Sequence, residues 1–129
     1  MQAFSITIAP RFYETDAMGH INNTAIAAWL ETARVRFIES LADGALVDER
    51  SWILASVKID YLSETFYGEE VIATVTDASP GNSSLTLQLE MVQGGRRTVR
   101  ATAVLVYMNY AQKTPERVPD QIRERLARA

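Results

Sequence analysis

The chain has no cysteine and a single histidine, His20, among its 129 residues. Without cysteine there is no disulfide framework, no thiol nucleophile and no thiolate metal site. One imidazole cannot build a histidine-rich metal centre, so no metal is expected. No apolar stretch is longer than the run Ala103–Met108, which is far too short to cross a bilayer. The first ten residues, MQAFSITIAP, have no basic segment and alternate polar with apolar, unlike a signal peptide. These absences lead to the expectation of a cytoplasmic protein without a membrane span. Any hydrolytic chemistry must come from carboxylates, hydroxyls, amides and the lone imidazole.

Hydrophobic residues make up 47% of the chain and charged ones 22%, enough for one globular domain over 1–129 with a real core. The formal net charge of −3 hides a split. Residues 1–95 carry 5 basic and 13 acidic side chains, whereas 96–129 carry 8 and 3. A basic C-terminal third raises the question of an anionic partner. Nucleic acid is disfavoured, because the whole chain is acidic and basic residues do not interleave with aromatic ones.

Phe4, Ile6 and Ile8 alternate with Ser5 and Thr7, the period of a half-buried strand. A long helix then starts near Asn22 or Asn23, either of which could cap it; with Asn22 as cap, Ile21 and Ile26 take the staple positions. The helix runs to about Leu41, with Asp43-Gly44 as its stop. Ile26, Trp29, Leu30, Ala33, Phe37, Ile38 and Leu41 form an apolar stripe, which Ala25, Ala27, Ala28 and Val35 widen. A helix this apolar is expected to be wrapped on most sides. Four strand patterns follow. Ile53, Ala55, Val57, Ile59 and Tyr61 share one face of the first, and Val71–Ala78 forms the second. Leu85, Leu87, Leu89 and Met91 share a face of the third, which the turn Gly94-Gly95 joins to a fourth carrying Val99, Ala101, Ala103, Leu105 and Tyr107. After Pro115 and Pro119, DQIRERLARA reads as a short amphipathic helix. The expected class is α+β: a five-stranded antiparallel sheet curled around one long helix.

Reactive residue types concentrate in Tyr13–Asn23, where a strand feeds the helix N-terminus. Free backbone N–H groups and the positive end of the helix dipole suit a developing negative oxygen there. Gly19 permits a sharp turn and a close approach of the backbone to a ligand. A carboxylate just upstream can act as base or nucleophile.

At these residues the chain resembles the hotdog-fold acyl-CoA thioesterases of the 4-hydroxybenzoyl-CoA thioesterase-like family. The likeness lies in R-F-Y-E-T-D-A-M-G-H-I-N-N at 11–23, then in Trp29, Glu31, Ala33 and Arg34. It continues through Lys58-Ile59-Asp60-Tyr61, Tyr67-Gly68-Glu69, Gly81-Asn82-Ser83-Ser84 and Arg117-Val118-Pro119. The resemblance implies hydrolysis of an acyl-CoA, with coenzyme A entering only as part of the substrate and no cofactor. It also implies a homodimer or homotetramer. Asp16 matches the family's catalytic carboxylate. Gly19 and the N–H near Asn23 match the turn and helix end that polarise the carbonyl, and His20 and Asn22 match polar positions of varying role. Where the family commonly has Tyr, this chain has Ile26, which makes that pocket wall apolar.

Each assignment has a plainer counterpart. Asp16 could merely cap a turn through the backbone, and His20 could orient the loop rather than move a proton. Glu31 is either a second catalytic carboxylate or, the favoured reading, the i, i+3 partner of Arg34. Trp29, Phe37 and Met18 sit where core packing already explains them, and any of them could also line an acyl pocket. Arg96, Arg97 and Arg100 are candidates for the phosphates of coenzyme A, against ordinary solvated strand ends. The alternatives to a thioesterase are a hydratase or dehydratase acting on acyl thioesters, and a non-catalytic acyl-CoA-binding domain.

Overall fold

The computed structural model describes residues 3–42 and 51–128. The chain order is β1 (Phe4–Ile8), a short 3₁₀ turn (Phe12–Glu14), α1 (Asn23–Ala42), β2 (Trp52–Tyr61), β3 (Val71–Pro80), β4 (Ser84–Gln93), β5 (Arg96–Asn109), β6 (Thr114–Pro115) and α2 (Asp120–Ala127). The expected helix stop at Asp43-Gly44 lies outside the described residues. Five strands form an antiparallel sheet in the order β1-β3-β4-β5-β2, and α1 packs across β3 and β1. The sheet has one more member than expected, since the two residues of β6 pair with Met108 and Asn109 at the end of β5.

Strict alternation makes β4 the centre of the core. Leu85, Leu87, Leu89 and Met91 are buried and stand beside the buried Val71, Ala73 and Val75 of β3 and Val99, Ala101, Ala103 and Leu105 of β5. Against this face α1 lays Ile26, Trp29, Leu30, Ala33, Phe37, Ile38 and Leu41, all buried. Each large aliphatic side chain buried this way contributes about 1.5–3 kcal/mol of transfer free energy. The hairpin between β4 and β5 turns through Gly94 and Gly95 at φ +60° and +74°, the backbone that a two-residue connection between twisted strands demands.

Two expectations fail, for identifiable reasons. The helix is not wrapped on most sides, because Ala27 and Ala28 are exposed and Val35 is half-buried. The apolar count misled because alanine is tolerated on either side of a helix. Arg34, by contrast, is buried, with Nη2 3.9 Å from Oε2 of the exposed Glu31. Burial pulls the Arg34 guanidinium below its ordinary pKa, and Glu31 only partly offsets that.

The second failure is the face of β2. Its register against β5 slips between Leu54 and Ser56. Ala55 is therefore the extra residue of a bulge, and the pleat changes phase there. Val57, Ile59 and Tyr61 lie opposite the inward residues Ala103, Ala101 and Val99 as expected, but Leu54 and Trp52, not Ala55 and Ile53, continue that face opposite Leu105 and Tyr107. On it Leu54, Val57 and Tyr61 remain 39%, 41% and 48% exposed.

Candidate active site

Residues 15–21 form a closed loop. Thr15 and Ile21 pair as an isolated antiparallel bridge, and the Asp16 N–H donates to the His20 carbonyl at 2.7 Å. Gly19 sits inside the loop at φ +82°, a conformation that side chains with a Cβ rarely adopt. A Cβ there would meet nothing within 4 Å, so the glycine serves the backbone angle rather than space.

The Asp16 side chain divides its two oxygens between two tasks. Oδ1 accepts the N–H of Met18 at 2.8 Å and of His20 at 3.0 Å, which is the turn-capping role. Oδ2 makes neither of these bonds and stands 3.8 Å from His20 Nδ1. The capping and chemical readings therefore do not compete for the same atom.

Asn22 caps α1. Its Oδ1 accepts the Ala25 N–H at 2.8 Å and the Thr24 hydroxyl at 2.6 Å, with Ile21 and Ile26 buried on either side of the cap. Asn23 is thus the first helical residue. Among the described residues no acceptor takes the N–H of Asn23 or Thr24, leaving two donors at the positive end of α1. Glu14 pins this entrance to the helix. Its Oε1 accepts from the Arg11 N–H at 2.8 Å, its Oε2 from Trp29 Nε1 at 2.9 Å and its carbonyl from the Asn22 N–H at 2.9 Å. Nothing in the local spacing marks Glu14 for this, because its indole partner belongs to the helix.

A cavity of about 370 Å³ opens beside the helix start, a size suited to a small-molecule segment. Asp16, His20, Asn23 and Ile26 form one wall, and Tyr61, Ser63, Glu64 and Thr65 the other. The second wall is the end of β2 and the connection from it to β3, and nothing in the local sequence marks Ser63, Glu64 or Thr65 for a site. It is held tightly. The Leu62 and Ser63 N–H groups donate to the Thr98 carbonyl, and the Ile21 N–H donates to the Thr65 carbonyl at 2.8 Å. The buried Gln93 amide grips Phe66 at both its N–H and carbonyl and also donates to the Glu69 carbonyl. Glu64 thereby reaches His20, with Oε2 3.2 Å from Nε2.

The other sequence candidates fall elsewhere. Glu31 does not line this cavity and faces Arg34 instead. Met18 is 77% exposed, so core packing does not explain it, whereas Trp29 and Phe37 are buried in the core. Arg96 donates to the Glu64 carbonyl at 3.0 Å, and Arg100 binds the Asp60 carboxylate at 3.0 Å. Those two guanidinium groups therefore already serve structural partners, while the exposed Arg97 side chain has no such bond among the described residues. Among the described residues no three acidic or imidazole side chains are arranged to hold a metal ion, the Asp16–His20–Glu64 group included.

A family model described as the thioesterase-like superfamily matches residues 10–126. The structure resembles that of a predicted thioesterase from Bacillus stearothermophilus at 34% identity and a TM-score of 0.89, covering 98% of this chain and 95% of that one. It also resembles a thioesterase from Thermus thermophilus solved with coenzyme A and zinc, at 28% identity and a TM-score of 0.84, covering 95% and 90%. An uncharacterized Bacillus subtilis protein, YsmA, is 32% identical over 85 residues, which are 66% of this chain and 58% of that relative.

Proposed function

The chain belongs to the thioesterase-like superfamily, and from that premise we propose that it hydrolyses an acyl-CoA thioester to a free acid and coenzyme A. The observation that carries the reading is that one cavity is lined by both Asp16 and Asn23, whose N–H at the α1 terminus has no acceptor among the described residues. The thioester carbonyl oxygen lies on the Asn23 and Thr24 N–H groups, which stabilise the charge that develops there. Asp16 takes a proton from a water that attacks the carbonyl carbon, or itself attacks that carbon to give an acyl–enzyme anhydride that water then hydrolyses. In either route the C–S bond breaks, the water's oxygen ends in the free acid, and one proton from the water goes to the thiolate sulfur. A thiolate is a good leaving group, so a single imidazole suffices for the remaining proton traffic. Ile26 gives the acyl group an apolar wall.

A panel of aliphatic and aromatic acyl-CoAs, followed by release of free thiol, tests this reading. Release well above background is expected with at least one member. Hydration of an enoyl-CoA without thiol release would instead favour a hydratase, and binding without either reaction a non-catalytic domain.

The proposal extends to assembly. β2 is an edge strand of ten residues, and its Leu54, Val57 and Tyr61 remain exposed on the face that lies opposite the inward residues of β5. Such an edge presents both unpaired backbone groups and apolar surface. A second copy pairing along β2 would cover both, and we assign the edge to a homodimer. Sedimentation at micromolar concentration is expected to give twice the chain mass, with Val57→Asp shifted toward the monomer. A natural chain that sediments only as a monomer would rule the assignment out.

A further inference from the structure

His20 lies between two carboxylates from distant parts of the chain. Glu64 Oε2 is 3.2 Å from Nε2, and Asp16 Oδ2 is 3.8 Å from Nδ1. The Phe66 ring meets the imidazole edge-on with centroids 5.1 Å apart, and His20 and Phe66 pair as an isolated backbone bridge. Glu64 itself is carried between anchored neighbours: Arg96 holds its carbonyl, the Thr65 carbonyl accepts from Ile21, and Gln93 clamps Phe66. Its side chain is 62% exposed, so core packing gives no account of its placement against the only imidazole of the chain.

The geometry points to Glu64 as a positioning residue that sets the tautomer of His20. A neutral imidazole carries one ring proton, and a carboxylate beside one nitrogen draws the proton to that nitrogen. With the proton on Nε2 facing Glu64, Nδ1 keeps its lone pair toward Asp16 Oδ2. Two acceptors 3.8 Å apart cannot bond each other, but one water can donate an O–H to each at about 2.8 Å. Having donated both O–H groups, that water keeps its oxygen lone pairs free for the carbonyl carbon of a thioester held in the cavity that Asp16 and His20 line. One O–H proton passes to the carboxylate or to Nδ1 as the O–C bond forms. It is returned to sulfur as the C–S bond breaks, so no other reactant is needed. The inference rests on the thioesterase reading and deepens it, making Asp16 part of a water-activating pair rather than a nucleophile.

Because the chain has one histidine, its imidazole ¹⁵N resonances report the tautomer without ambiguity. In alkaline buffer the natural protein is expected to carry the proton on Nε2, and Glu64→Ala to show a mixture of tautomers. For the best acyl-CoA of the panel, Glu64→Ala should lose on the order of tenfold in kcat with KM within about twofold. Glu64→Gln, which keeps an acceptor oxygen, should recover much of both signals. A proton on Nδ1 in the natural protein, or unchanged tautomer and kcat in Glu64→Ala, would overturn the assignment. If no acyl-CoA is cleaved, the tautomer measurement still decides the role of Glu64, and only the thioesterase reading falls.

Discussion

Replacing Asp16 with Asn is expected to lower kcat for acyl-CoA hydrolysis about a thousandfold while leaving the fold and thermal stability close to those of the natural chain. The substitution separates the two tasks of this side chain. Asn keeps a carbonyl oxygen that can accept the Met18 and His20 N–H groups, so the loop closes as before. What Asn lacks is the charged Oδ2 facing His20 Nδ1, and with it any ability to attack or to take a proton. Asp16→Ala would be a poorer experiment, since it also strips the acceptor from two backbone groups and confuses collapse of the loop with loss of chemistry. Steady-state kinetics and a melting curve on Asp16→Asn check the prediction together. Retention of most of the natural kcat would leave Asp16 a turn residue and move the search for the base to Glu64 or His20.

The second large effect is expected from Gln93→Ala, and it falls on stability. Gln93 is 3% exposed at the end of β4, and its amide makes three hydrogen bonds to the backbone of the β2–β3 connection. Truncation removes those bonds, leaves the Phe66 and Glu69 groups to find new partners and opens a small void. At about 1 kcal/mol for each lost bond, the cost is about 3 kcal/mol, or a fall of roughly 10 °C in melting temperature for a chain of this size. Because Gln93 also fixes the stretch that carries Glu64, kcat should fall at temperatures where the variant is still folded. Chemical and thermal unfolding measure the first effect and kinetics the second. A variant as stable as the natural chain would mean that water replaces the amide at little cost.

Much of this architecture is legible in the sequence because its signals are local and repeated. β4 alternates without interruption from Leu85 to Met91, and α1 repeats its apolar stripe from Ile26 to Leu41, so the inward face of each follows from its period alone. The site loop is legible for a different reason. Asp16, Gly19, His20, Asn22 and Asn23 lie within eight residues, and the loop they close is held chiefly by its own backbone.

The remainder depends on partners far apart in the chain. Glu64 looks like an ordinary loop carboxylate until the connection from β2 is registered against His20 and Ile21. Gln93 continues the buried face of β4 as a polar residue, and only the turns of backbone brought over it give its amide three partners. Glu14 has no evident role until Trp29 approaches from the helix. The bulge at Ala55 changes the face of half a strand without any glycine or proline to announce it. The sequence by itself determined which faces are apolar and where a carboxylate meets a helix N-terminus, since both follow from spacing along one segment. Tertiary structure alone decided the phase of β2 and the second wall of the site, because each requires hydrogen bonds between segments that meet only when the sheet closes.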